Sequence, residues 1–271
     1  MSLPVHLVPD LAGTAVGDTV RVEGDEAHHA VAVRRLRVGE RLVLTDGSGY
    51  AATGEVVSTG KRLLTVRIEE VRAEEPPHPA LTVVQALPKG ERGELAVEML
   101  TEIGAARIVP WAAARSVAVW KGERAARSLA RWRATAREAA KQARRSWFPE
   151  VTELADTAEV AALLGESTGA AGPGIAVVLH EDGAGRLADL RWTDSRAGTS
   201  TDFSADSRAD TSVGGQIVLV VGPEGGLTDE EIAAFETAGA TTVRLGGEVL
   251  RTSTAGVAAA AALLATTPRW A

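Results

Sequence analysis

The rhythm of apolar and polar positions along this chain changes near residue 80. Ahead of that point, "RLVLTD", "YAATGEVVS" and "LLTVRIEEV" are short strand-like runs, rich in β-branched residues. The first two are joined by "DGSG", whose Asp and Gly suit a tight hairpin turn. Before them, "DEAHHAVAVRRL" has the start of a helix, with Asp25 as its N-cap. From Leu81 onward the short runs "LTVVQAL", "ARIVP", "GIAVVLH", "QIVLVVG" and "TTVRLG" are of the buried type, and helical segments such as "ERGELAVEMLTEIG" and "GERAARSLARWRATAREAAKQARR" alternate with them. Buried strands separated by helices predict an α/β domain with a mostly parallel sheet. Between the two regimes "AEEPPHPA" places three prolines within four residues and breaks both patterns. The expected organisation is a small β-rich domain over residues 1–73, a linker over 74–80 and an α/β domain over 81–271. Residues 193–215 are rich in Ser, Thr, Asp and Gly and read as a flexible surface insertion.

Composition narrows the function classes. At 271 residues, 45% hydrophobic and 24% charged, the chain has the profile of a soluble globular protein. It has no cysteine, which excludes disulfides, thiolate metal sites and cysteine nucleophiles, and no metal centre is expected. "MSLPVHLVPD" lacks the charged and apolar regions of a signal peptide, and "AGVAAAAALLA" is too short to span a bilayer. A cytoplasmic protein without membrane contact is the expectation. The net charge of −7 conceals an uneven distribution. Residues 80–149 hold 13 basic and 6 acidic side chains, whereas residues 150–240 hold 4 basic and 17 acidic ones. An acidic total can therefore carry a strongly basic face.

Much of that positive charge lies on the long helix. At 100° per residue, Leu129, Trp132, Ala136, Ala139, Ala140 and Ala143 share one face. Arg133, Arg137, Lys141 and Arg144 share a second, and Arg124, Arg127 and Arg131 a third. A solvated helix with surplus arginine would show the same pattern. Only Glu123 and Glu138 are at hand to neutralise it, however, which favours a surface for phosphate backbones.

Two glycine turns, "VVGPEGGLTDEEI" and "VRLGGEVLRTSTA", each end a short strand and lead into a helix, with Thr228 and Thr252 as candidate N-caps. Bare backbone at neighbouring strand ends makes a ligand crevice at the carboxyl edge of a parallel sheet. Neither turn has the Gly-Lys-Ser/Thr of a P-loop or the G-x-G-x-x-G of a dinucleotide fold, and Glu224 would repel a phosphate. A neutral or cationic ligand held by backbone groups fits better, although two ordinary βα turns would look alike.

The paired turns resemble the C-terminal signature of the SPOUT (α/β-knot) methyltransferases, and more narrowly the RsmE-type enzymes that methylate N3 of a uridine in 16S ribosomal RNA. "DEAHHAVAVRRLRVGERLVLTDGSG" is similar to that family's PUA-like RNA-binding barrel. "LPKGERGELAVEMLTEIGAARIVPW" and "RWRATAREAAKQARRSWFPEV" are similar to its central blocks. The resemblance implies S-adenosyl-L-methionine bound in a deep trefoil knot, a homodimer, and 16S rRNA within the small ribosomal subunit as partner. It implies a cofactor cradle of Leu179, His180, Gly222, Pro223, Glu224, Gly225, Gly226, Leu245, Gly246, Leu250 and Arg251. Arg251 stands as the stabiliser of a uridinate and Glu102 as a base or orienting group. His28, Arg34, Arg35, Arg37, Lys89, Arg92, Arg115, Arg137, Lys141, Arg144 and Arg145 are the expected RNA contacts. Two departures from the family pattern stand out: Ser253 occupies a common glutamate position, and Glu248 a frequent arginine one. The competing readings are a ribose 2′-O methyltransferase of the same superfamily, whose last motif has an Asn-containing turn where this chain has "VLR", and a non-catalytic RNA-binding assembly factor.

Overall fold

The computed structural model describes residues 3–168, 174–190, 192 and 215–270. The expected insertion at 193–215 therefore lies outside the described residues, apart from Gly215. The chain separates into two compact units, Met1–Pro76 with Ala140–Phe148, and Pro77–Ala139 with Pro149–Ala271.

The first unit is built on a five-stranded sheet of β1 (Val5–Leu7), β2 (Thr19–Glu23), β3 (Arg41–Thr45), β4 (Tyr50–Thr59) and β5 (Leu63–Ala73), in the order β1-β3-β4-β5-β2. Only the β1–β3 pairing is parallel. The "DGSG" turn closes the β3–β4 hairpin, and the Asp46 carboxylate accepts the amides of Ser48 and Tyr50 at 2.8 and 3.2 Å. Alternate residues of these strands, among them Leu42, Leu44, Val56, Leu64, Val66 and Ile68, form the core. Helix α1 (Gly24–His28) runs on into a π-helical turn over His29–Val33. Its N-cap is Glu23, so Asp25 falls in the first turn, where its carboxylate takes the Arg62 guanidinium at 2.6 Å. Inside this unit the Glu26 carboxylate meets His6 Nδ1 at 3.0 Å and Lys141 Nζ at 3.1 Å.

The second unit is a seven-stranded, all-parallel sheet of β6 (Ala80–Ala86), β7 (Arg107–Trp111), β8 (Glu150–Val151), β9 (Ile175–Leu179), β10 (Gly185–Arg186), β11 (Gln216–Val221) and β12 (Thr241–Arg244). The order is β10-β12-β9-β11-β6-β7-β8. Residues of β11 alternate between two cores, as their period of two requires. Ile217, Leu219 and Val221 join one, and Val218 and Val220 join the other. The first core takes α2 (Arg92–Glu102), much of α3 (Gly122–Gln142) and α6 (Thr252–Leu264), through Val97, Leu100, Trp132 and Leu263. The second takes α4 (Thr157–Thr168) and α5 (Asp229–Thr237), through Val160, Leu164 and Phe235. The chain therefore changes faces between β12 and α6, across residues 245–251.

On α3 the expected apolar face is buried at Leu129, Trp132, Ala136, Ala139 and Ala140. Ala143 differs: the helix ends at Gln142, and Ala143 is exposed. Trp132 lies directly on the α2 backbone, and a Cβ at Gly93 would sit 2.8 Å from its Nε1.

Candidate functional site

The carboxyl edge of the parallel sheet collects most of the chemistry. The ends of β11 and β12 carry the two glycine turns, and β9 lies between them rather than leaving them adjacent. Leu179 and His180, at the end of β9, thus form the floor between the turns. The His180 amide donates to Val243 O at 3.0 Å, tying that floor to β12. His180 Nδ1 accepts the Asp182 amide at 3.1 Å.

The first turn, Gly222 to Gly226, is tightly built. Gly226 has φ +73°, and a Cβ at Gly225 would meet Arg115 O at 2.9 Å, so glycine is required at both positions. At Gly222 a Cβ would press on Leu227 Cδ2 at 3.2 Å. Arg115 donates to Leu227 O at 2.9 Å and Gly225 O at 3.5 Å. Its guanidinium is thus engaged with turn carbonyls instead of standing free for RNA. The Glu224 carboxylate reaches the neighbouring loop, accepting the Lys89 amide at 3.2 Å with Arg92 Nη1 3.7 Å away. Arg92 is therefore partnered too, while Lys89 Nζ has no bond among the described residues.

Helix α5 anchors this turn. Thr228 and Glu231 form a reciprocal capping box, and the Glu231 side chain, only 3% exposed, also accepts the Ala114 amide at 2.8 Å. One buried carboxylate thereby joins the end of β7 to the start of α5. The T-x-x-E pattern at Thr228 was legible, but this second partner was not. Gln85, buried within β6, donates to Ala86 O at 3.1 Å and Thr252 O at 3.4 Å, which pins the start of α6 to the sheet edge. A lone amide in the apolar run "LTVVQAL" was the signal for it.

The second turn is open. Gly246 and Gly247 do not have positive φ, and a Cβ at Gly246 comes no nearer than 3.8 Å to any neighbour, so steric need does not explain that glycine. Leu245 is partly buried against the core, whereas Leu250 is 42% and Val249 79% exposed. Arg251 is the N-cap of α6, the place expected of Thr252. Its backbone carbonyl accepts the amides of Thr254 and Ala255, and its exposed guanidinium has no partner among the described residues. Ser253, 3% exposed, is a packing residue of α6.

Other expected site residues lie elsewhere. Glu102 closes α2, and the following loop returns to the amino end of β6, where the Ala106 amide donates to Leu81 O at 2.8 Å. A helix antiparallel to its strand carries its last residue away from the carboxyl edge, so Glu102 is not brought to the site. Lys141 is 6% exposed and bound to Glu26, which removes it from any open RNA face. Arg137 and Arg144 are exposed, and Arg145 is half-buried. In the first unit His28, Arg34, Arg35 and Arg37 are all exposed on α1 and the segment after it.

The donor set suits a ligand without phosphate. The first turn offers backbone groups, Arg115 is held by its carbonyls, and its one carboxylate is partnered by the Lys89 amide and Arg92. Among the described residues no helix is long and apolar enough to cross a membrane.

Residues 74–264 match the family described as the RNA methyltransferase domain, and residues 22–69 the RNA methyltransferase PUA domain. The chain is 43% identical to the ribosomal RNA small subunit methyltransferase E of Mycobacterium bovis, over 98% of this chain and 92% of that one. It is 29% identical to the protein of that name from Bacillus subtilis, covering 90% and 89% respectively. The crystal structure of a Neisseria gonorrhoeae ribosomal RNA small subunit methyltransferase E bound to S-adenosyl methionine matches 96% of each chain, at TM-score 0.78 and 26% identity. With its parallel sheet, its PUA domain and these relatives, the chain belongs to the ribosomal RNA small subunit methyltransferase E family, within the SPOUT class of RNA methyltransferases.

Proposed function

We propose that this protein transfers a methyl group from S-adenosylmethionine to N3 of a uridine in the 16S rRNA of the small ribosomal subunit. The observation that carries the reading is the pair of glycine turns flanking the end of β9 at the carboxyl edge of the sheet. Gly222 to Gly226, Leu245, Gly246 and Leu250 would hold the cofactor through backbone groups, with Leu179 and His180 as the floor. When bound, the cofactor supplies an electrophilic methyl group on a sulfonium.

Uridine N3 must lose its proton before it can attack. Arg251, exposed and without a partner among the described residues, is suited to donate to O2 or O4 and stabilise the uridinate. With Glu102 away from this edge, we assign the proton to solvent once Arg251 has lowered the cost of the anion. In-line alignment of the reacting atoms supplies much of the remaining acceleration.

The crossing of residues 245–251 from one sheet face to the other is where the trefoil knot would lie. Val249 and Leu250, both exposed, would be covered in a homodimer formed through this region. His28, Arg34, Arg35, Arg37, Lys89, Arg137, Arg144 and Arg145 would hold RNA phosphates, which gives affinity and register without reading bases. The cytoplasm, where small subunits are assembled, is the matching location.

The test is to incubate the protein and S-adenosylmethionine with small subunits lacking the modification and digest the RNA to nucleosides. N3-methyluridine is expected. Recovery of a 2′-O-methylated nucleoside would overturn the assignment of the atom, and no cofactor binding by calorimetry would overturn the enzyme reading.

A further inference from the structure

A cavity of about 490 Å³ opens in the second unit between the loop after β6, the start of α2, residues 118–120 and the first turns of α3. It contains none of the glycine-turn residues. Trp120 and Trp132 meet edge to face in its wall, with ring centroids 5.1 Å apart and planes at 82°. Trp132 is 3% exposed and wedged on α2, so its position is fixed. Trp120 is only partly buried and rests on that fixed ring.

Arg124, Arg127 and Arg131, spaced along one side of α3, line the same cavity. Glu91 and Glu94 line it as well. Glu94 is already bound to Arg131 at 3.2 Å, and the nearest acid to Arg127, Glu123, is 3.9 Å away with both side chains exposed. Arg124 has no partner among the described residues. The amino end of α2 also faces this space through Gly90, Glu91 and Gly93, and no side chain caps it. A half-open indole on a rigid support, with three arginines against two acids in the lining and Arg124 without a partner among the described residues, is the arrangement that takes one base and its phosphates.

We infer that this cavity binds a nucleotide of single-stranded RNA flanking the target uridine, its base against Trp120 and its phosphates on Arg124 and Arg127. The inference rests on the proposed RNA substrate, but it concerns a second subsite apart from the cofactor turns. Aromatic stacking tolerates every base, so the pocket contributes affinity and register in the main, and recognition of the splayed strand rather than of one letter.

Binding of a fluorescein-labelled, mixed-sequence single-stranded RNA decamer to the full chain, followed by anisotropy across a salt series, tests this. Arg124→Glu with Arg127→Glu should weaken binding about tenfold or more and flatten the salt dependence by about two phosphate contacts. Trp120→Ala should weaken it about fivefold or more, and Trp120→Phe should retain most of the affinity. Calorimetry with S-adenosylmethionine should give wild-type affinity for all of these variants, which shows that each has folded. RNA affinity within twofold of wild type for both the arginine pair and Trp120→Ala would overturn the inference. So would a loss confined to the arginine pair, since charge alone would then account for binding. A wild-type protein that binds RNA in this way but yields no methylated nucleoside would sink the proposed reaction and leave the subsite standing.

Discussion

Lys141 Nζ lies 3.1 Å from Glu26 Oε2, in a nearly closed pocket that also holds the ring of His6. Burial by itself raises the Glu26 pKa, but the hydrogen bond from His6 and the charge of Lys141 outweigh it and lower the carboxyl to about 2. The folded value is below the ordinary 4.5, so this stabilisation is complete above about pH 4.5 and is lost as pH falls toward 2. The difference corresponds to about 3 kcal/mol. Lys141→Met should destabilise the protein by about 2–4 kcal/mol at pH 7, because a desolvated carboxylate loses its counter-charge. Urea unfolding at pH 7 and pH 3 checks this: the deficit should shrink at the lower pH, and equal deficits would contradict it.

Gly222→Val should abolish S-adenosylmethionine binding. Its Cβ would start 3.2 Å from Leu227 Cδ2, and two further methyl groups cannot be absorbed by that one side chain. Gly222→Ala, needing a shift of only a few tenths of an ångström, should keep measurable affinity. Calorimetry reads both, and RNA affinity should change for neither. Activity surviving in the Val variant would show that this turn is not the cofactor site.

Arg251→Ala should lower kcat by about 10²–10³, the usual loss when a donor to a developing anion is removed. Cofactor affinity should hold, since the side chain has no partner within the fold among the described residues. Single-turnover rates with small subunits measure it. A rise in KM at constant kcat would mark Arg251 as an RNA contact only.

Glu102→Gln should keep activity within about threefold, whereas removal of a general base would cost about 10²–10⁴. The residue ends α2 near the amino end of the sheet. A hundredfold loss with unchanged stability would show that the edge assignment is mistaken.

Glu231→Gln should destabilise by about 1–3 kcal/mol and weaken cofactor binding with it. The amide keeps shape but puts an NH₂ group where the carboxylate now accepts from Ala114, Thr228 and Thr157. Thermal unfolding with and without S-adenosylmethionine separates the two effects.

Much of the fold was open to reading from residue order alone. The change from β-rich runs to buried apolar runs with helices between them dictates two kinds of sheet, because side-chain period and burial are local properties. The glycines at 225 and 226 likewise announce a backbone path closed to other residues. Lys141 shows where such reading stops. Helical projection placed it on a basic face with Arg137, yet it is buried against Glu26, and nothing local distinguishes a solvated lysine from one with an acid partner 115 residues away in sequence. Arg115 and Glu102 fail for the same reason: one faces the turn carbonyls 110 and 112 residues on, and the other is carried to the far edge by the direction of its helix. Propensity, pattern and backbone chemistry are written residue by residue and survive in the sequence. Partner choice between distant charges, and which strand end meets which, arise only when the sheet order β12-β9-β11-β6 brings them together.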